Sequence, residues 1–101
     1  MTSQAIVVVV DRDLEDLIPG FLERRREDLD TLRNAAADRD IQTLRVTGHS
    51  MKGTGGGYGF DGLSEIGARI EAAAKAGDLD AMPEHLRALE DYLQRVEVRF
   101  E

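Results

Sequence analysis

Gly48-His49-Ser50-Met51-Lys52-Gly53-Thr54-Gly55-Gly56-Gly57-Tyr58-Gly59-Phe60 is the stretch on which the reading of this chain turns. With the residues just before it, it sets a helical spacing. Ile41, Leu44, Gly48, Met51, Gly55 and Tyr58 recur at alternating steps of three and four, an apolar or small seam of the kind that faces a core. His49 falls one residue past that seam, at its edge and turned toward solvent. Residues three and four apart on a helix share a face, so Arg45, His49, Lys52, Gly53 and Gly56 form one strip. A cation lies on either side of the imidazole, with no side chain beyond it. An uncovered histidine in that setting suits holding an anion, and a phosphoryl group is the obvious candidate.

The glycines need a reason, because each one inside a helix costs roughly 1 kcal/mol against alanine. Close helix packing accounts for Gly48 and Gly55, which lie on the seam. Gly53 and Gly56 lie off it, beside His49, where missing side chains would let another protein's surface approach the ring. Gly57-x-Gly59-x-x-Gly62 matches the dinucleotide fingerprint in letters. That fingerprint requires a strand before it and a βαβ unit around it, and the sequence offers neither.

Working outward, Asp40 reads as the N-cap of the histidine-bearing helix and Asp38-Arg39-Asp40 as the connection before it. From Pro19 to about Ala37, Phe21, Leu22, Leu29, Leu32 and Ala36 keep helical spacing between charged residues. Arg24-Arg25-Arg26 is diluted by Glu27 and Asp28 and reads as a solvated face. Asp11 or Asp13 would cap a short extra helix that puts Leu14, Leu17 and Ile18 on one face, with Pro19 at the junction. Beyond the glycines, Asp61 caps a third helix with Leu63, Ile66, Gly67, Ile70 and Ala74 inward and Gly77 as its stop. Asp80 caps a fourth, in which Met82, Leu86, Leu89, Leu93, Val96 and Phe100 repeat at four, three, four, three, four. Ile6–Val10 is β-branched, but no second strand is in view to pair with it. It is expected as an extended segment against the bundle or a chain end recruited by a partner. Met1–Gln4 are expected to be disordered. The fold expected is therefore all-α: an antiparallel, up-down four-helix bundle over residues 11–101 with a short extra N-terminal helix, preceded by an extended segment over 1–10.

The run His49-x-x-Lys52-Gly53-Thr54-Gly55-x-x-Tyr58-Gly59-Phe60 resembles the motif of the histidine-containing phosphotransfer (HPt) domain of bacterial phosphorelays, roughly H-x-L-K-G-S-[AS]-x-x-[LIF]-G-[AF]. The resemblance continues through Leu63, Ile66, Ala68 and Ile70 to the turn at Gly77 and Asp78, and so covers most of the chain. Met51 stands for an aliphatic residue, Thr54 for Ser, Gly55 for Ala or Ser and Tyr58 for Leu. The resemblance implies the same four-helix fold, with His49 phosphorylated through Nε2, Lys52 holding the phosphoryl oxygens and Gly53 leaving room for an incoming receiver domain. Arg45 is added to the phosphoryl-stabilising set from helix geometry alone. Response-regulator receiver domains are the implied partners, with a hybrid sensor kinase among the candidates. No cofactor is implied, since the Mg²⁺ and the acceptor aspartate would belong to the partner.

Composition narrows the alternatives. At 101 residues the chain is one domain, with 42% hydrophobic and 33% charged residues. Thirteen Lys and Arg against twenty Asp and Glu leave a formal charge of −7, a poor match for nucleic acid, whose phosphates need a basic surface. There are no cysteines, so no disulfide and no thiolate metal site. The longest apolar run, Ala5–Val10, is too short for a membrane span and lacks the basic lead-in of a signal peptide, so a cytoplasmic monomer is the expectation. No His, Cys or carboxylate lies three or four residues from His49, which argues against zinc. Ser50 lies about 100° round the helix from His49, so a hydrolytic triad is not assembled either. His85, among Glu84, Leu86 and Arg87, reads as a plain surface residue. No P-loop or kinase loop is present, so the protein is expected to be no ATP-dependent enzyme. Two rival readings remain: a bundle of the same fold that docks on a partner without being phosphorylated, and oligomerisation through Leu89, Leu93 and Val96.

Overall fold

The computed structural model describes residues 4–101; the disorder expected for Met1–Ser3 lies outside them. Strand β1 (Ile6–Val10) leads into a 3-10 turn over Arg12–Leu17, followed by α1 (Ile18–Ala37), α2 (Ile41–Gly57) and α3 (Asp61–Ala76). A second 3-10 turn, Leu79–Ala81, runs into α4 (Met82–Arg95), and strand β2 (Val96–Phe100) closes the chain. The four helices pack in a ring, α1 on α2, α2 on α3, α3 on α4 and α4 back on α1, with α2 and α3 in the most extensive contact.

Local sequence accounts for most of the boundaries. The Asp40 carboxylate accepts from the Thr43 amide at 3.1 Å and from the Thr43 hydroxyl at 2.7 Å, capping α2 as its spacing predicts. Gly77 ends α3 in the left-handed conformation, φ 69°, where a side chain would be strained. Two caps differ from expectation. Phe60, rather than Asp61, sits at the N-cap of α3, and Asp61 is in the first turn, where its charge meets the helix dipole. Asp78, rather than Asp80, caps the turn before α4. Asp11, one of the two residues expected to cap the first element, accepts from the Asp13 amide at 2.8 Å and caps the first 3-10 turn, which runs directly into α1 and takes the place of a separate short helix.

The core follows the predicted seams. Leu44, Gly48, Met51 and Gly55 of α2 are buried, as are Leu63, Ile66, Gly67, Ile70 and Ala74 of α3 and Met82, Leu86, Leu89 and Leu93 of α4. Ile41 and Leu17 are exposed, the two apolar positions at element ends that the periodic reading placed inward. Leu89 and Leu93 are consumed by the chain's own core, which occupies the face considered for oligomerisation. Arg25 departs from the solvated-run reading. It is buried, with its guanidinium 5.2 Å from the Phe21 ring centroid, its Nε 2.9 Å from the Asp28 carboxylate, and Nη1 donating to Thr54 on α2.

The all-α expectation needs one correction. Val96 leaves the helix at φ −68°, ψ 129°, and β2 pairs in parallel with β1, Ile6 opposite Val96 through Val10 opposite Phe100. Val96, Val98 and Phe100 alternate with Glu97 and Arg99, the period of a half-buried strand, so α4 stops one turn short of the heptad extrapolation. Ile6, Val8, Val10, Val96, Val98 and Phe100 join the core, while Val7, Val9, Glu97 and Arg99 face out. Arg95 Nε donates to the Gln4 carbonyl at 2.6 Å, so Gln4 is held at the start of this pair rather than disordered. Among the described residues, no helix is long and apolar enough to cross a membrane.

Candidate functional site

The site is built on the crossing of α2 and α3. A Cβ at Gly48 would lie 2.8 Å from the Glu71 amide nitrogen and 3.0 Å from the Gly67 carbonyl; one at Gly67 would lie 2.6 Å from the Lys52 nitrogen and 2.8 Å from the Gly48 carbonyl. Only glycine fits at both positions, and the backbones touch. Gly55 makes the same kind of approach to Ser64, whose hydroxyl donates to the Lys52 carbonyl at 2.8 Å. This contact brings α3 near enough for a side chain one residue past Ile70 to reach the exposed edge of α2.

That side chain is Glu71, only 8% exposed, and its carboxylate gathers three cation-forming groups. His49 Nδ1 lies 2.8 Å from Oε2, Lys52 Nζ 3.5 Å from Oε1 and Lys75 Nζ 3.6 Å from Oε2. Desolvation by burial would raise the Glu71 carboxyl. The hydrogen bond from His49 and the charges of Lys75, His49 and Lys52 outweigh it and hold the carboxyl below its ordinary value. An ionised carboxylate only accepts, so Nδ1 carries the proton, and in the neutral ring the Nε2 lone pair is free. The His49 side chain is 69% exposed, which leaves that nitrogen open to a reacting group.

The predicted site residues fare differently. His49 and Lys52 are brought together through Glu71. Arg45 is not part of that cluster; it donates to Gln42 of its own helix at 3.0 Å. Gly53 and Gly57 have open space where a Cβ would stand, and a Cβ at Gly56 would meet only the Ser64 hydroxyl at 3.6 Å. The exposed strip beside the ring therefore carries no side chain, and Val46, exposed on the same side of α2, gives it an apolar border. Ile18 and Phe21 are core residues. The Thr54 hydroxyl is engaged with Arg25 and the Ser50 carbonyl, so it is not set up as a nucleophile beside the His49–Glu71 pair. Among the described residues no group of His, Cys, Asp and Glu could hold a metal ion.

Glu71 and Lys75 are the functional candidates that sequence reasoning missed. A search along α2 finds no carboxylate near His49, because the one that matters lies on the next helix. The available signal was a glutamate placed directly after an inward-facing Ile70 and before Ala72-Ala73-Ala74, where the pattern calls for an apolar or small residue.

Comparison with known proteins bears on this geometry. Searches of curated proteins and of solved structures found no match to the chain. The family model of the Hpt domain matches residues 16–98, from the turn before α1 into β2. With four helices in a ring and the match covering most of its length, the chain belongs to the Hpt domain family.

Proposed function

We propose that this Hpt domain protein is a phosphorelay carrier that accepts a phosphoryl group on His49 from the aspartate of one receiver domain and passes it to another. The observation that carries the reading is the 2.8 Å contact between His49 Nδ1 and a buried Glu71 beneath an otherwise open ring. In the transfer, the Nε2 lone pair attacks phosphorus as the bond to the aspartyl oxygen breaks, and that oxygen leaves as carboxylate. The Nδ1 proton stays in place, the ring becomes an imidazolium facing Glu71, and the reverse step regenerates the neutral ring. Lys52 draws the equatorial phosphoryl oxygens, and the remaining catalysis is positioning. The Mg²⁺ and the acceptor aspartate belong to the receiver. The helices are read as alternating up and down, in keeping with their short connections. Hpt domains are phosphotransfer carriers rather than kinases, and the cytoplasm, where such partners work, is the place proposed for this one.

Gly53 and Gly56 form the approach surface in this account, with Val46 as an apolar neighbour. Two variants test that assignment. Gly53→Ala meets nothing within 4 Å and should stabilise the fold by about 0.5–1 kcal/mol through helix propensity. Gly53→Leu should fold equally well and slow transfer by about tenfold or more, a misplacement of the order of an ångström being able to cost a hundredfold. Equal transfer rates for Gly53→Leu and wild type would remove Gly53 from the partner surface.

His49→Gln separates the carrier from a docking module. The variant should still bind a receiver domain, measured by titration calorimetry, and should take up no phosphoryl group from one charged with acetyl phosphate. Output that survives the substitution would favour a protein that acts by docking alone.

A further inference from the structure

The cluster around Glu71 presents an electrostatic conflict that the motif residues do not resolve. A phosphoryl group on His49 Nε2 carries close to two negative charges, and it would sit across one ring from a carboxylate that stays ionised. The new ring proton balance supplies one positive charge and Lys52 another, which leaves the group one charge short. Lys75 supplies it. Its ammonium lies 3.6 Å from the same Oε2 that accepts from His49, one helical turn beyond Glu71 on α3, and its side chain is 60% exposed. Lys52 faces the other oxygen, so the two lysines hold opposite sides of one carboxylate.

We infer that Lys75 is a positioning residue of the phosphoryl site, neutralising Glu71 so that the carboxylate orients the imidazole without repelling the incoming dianion. The inference rests on the carrier reading above. Both lysine contacts are longer than the 2.7–2.9 Å of a tight charge-assisted hydrogen bond, which leaves each ammonium able to turn toward phosphoryl oxygens. A basic residue in the last turn of α3 would also favour the helix dipole, a purely structural role. The test has to tell the two apart.

Phosphoramidate loads histidine without any partner protein. The Nε2–phosphorus bond forms, the phosphorus–nitrogen bond of the donor breaks, and ammonia leaves with that electron pair. Wild type, Lys75→Met, Lys75→Arg and His49→Gln are compared by intact mass over time, with thermal melts alongside. Lys75→Met should load about three- to fivefold more slowly than wild type, the scale of one exposed charge pair. The effect should shrink at high salt, and Lys75→Arg should restore wild-type loading. Loading unchanged in Lys75→Met, with or without a lowered melting temperature, overturns the inference and leaves Lys75 to the helix dipole. If wild type and His49→Gln load alike, the carrier reading itself fails, and the role of Lys75 fails with it.

Discussion

Replacing Gly67 by alanine is expected to lower the melting temperature by roughly 5 °C, although alanine is the better helix former. The added Cβ would lie 2.6 Å from the Lys52 nitrogen and 2.8 Å from the Gly48 carbonyl. Both are backbone atoms of a packed helix, so neither can swing aside. Relief requires α2 and α3 to separate. Overpacking of this kind costs ~1–3 kcal/mol, and the helix-propensity gain of ~1 kcal/mol offsets only part of it. The same displacement carries Glu71 away from His49, so the variant should also lose the fixed ring tautomer. Circular-dichroism melts of Gly67→Ala beside Gly53→Ala make the comparison internal. The first should melt below wild type and the second at or above it. A Gly67→Ala protein as stable as wild type would mean that the close crossing is not what holds these helices.

Glu71→Ala is expected to leave the fold in place and slow phosphoryl transfer by on the order of tenfold to a hundredfold, the scale of losing a group that orients an imidazole. Without the carboxylate, Nδ1 has no fixed acceptor, the proton can move to Nε2, and the nucleophilic lone pair is present only part of the time. The imidazolium formed by phosphorylation also loses its counter-charge. Nitrogen chemical shifts of the ring report this directly: wild type should show the Nδ1–H form and the variant a mixture. The acid limb of stability provides a second readout. Folding lowers the Glu71 carboxyl below its ordinary value of 4.5, so its contribution is complete above that pH and is lost as pH falls through the folded value. Acid unfolding of wild type should therefore include a component that Glu71→Ala lacks. Equal transfer rates in the two proteins would reduce the pair to a surface contact.

Much of this arrangement was legible in the sequence, for physical reasons that also mark where legibility stops. The α2 seam was readable because burial on one face of a helix imposes a period on adjacent residues, and Leu44, Gly48, Met51 and Gly55 keep it. The edge position of His49 follows from the same period. The strand pair was not readable in this way. Val96 and Phe100 satisfy a heptad and a two-residue alternation at once, and the partner that decides between them, Ile6–Val10, lies at the other end of the chain. Glu71 was hidden for a related reason. Its contact depends on how closely two helices cross, which Gly48 and Gly67 determine jointly and neither announces alone. Arg25 shows the converse, a residue in a charged run that is buried because Thr54 and Asp28 receive it.

The most direct test of the account is the position of the phosphoryl group after transfer from a charged receiver domain, read by phosphorus and nitrogen NMR on the isolated carrier. The account predicts one acid-labile phosphoryl group on His49 Nε2, with the Nδ1 proton retained opposite Glu71. A phosphoryl group on Nδ1, or an acid-stable ester on Ser50 or Thr54, would contradict it.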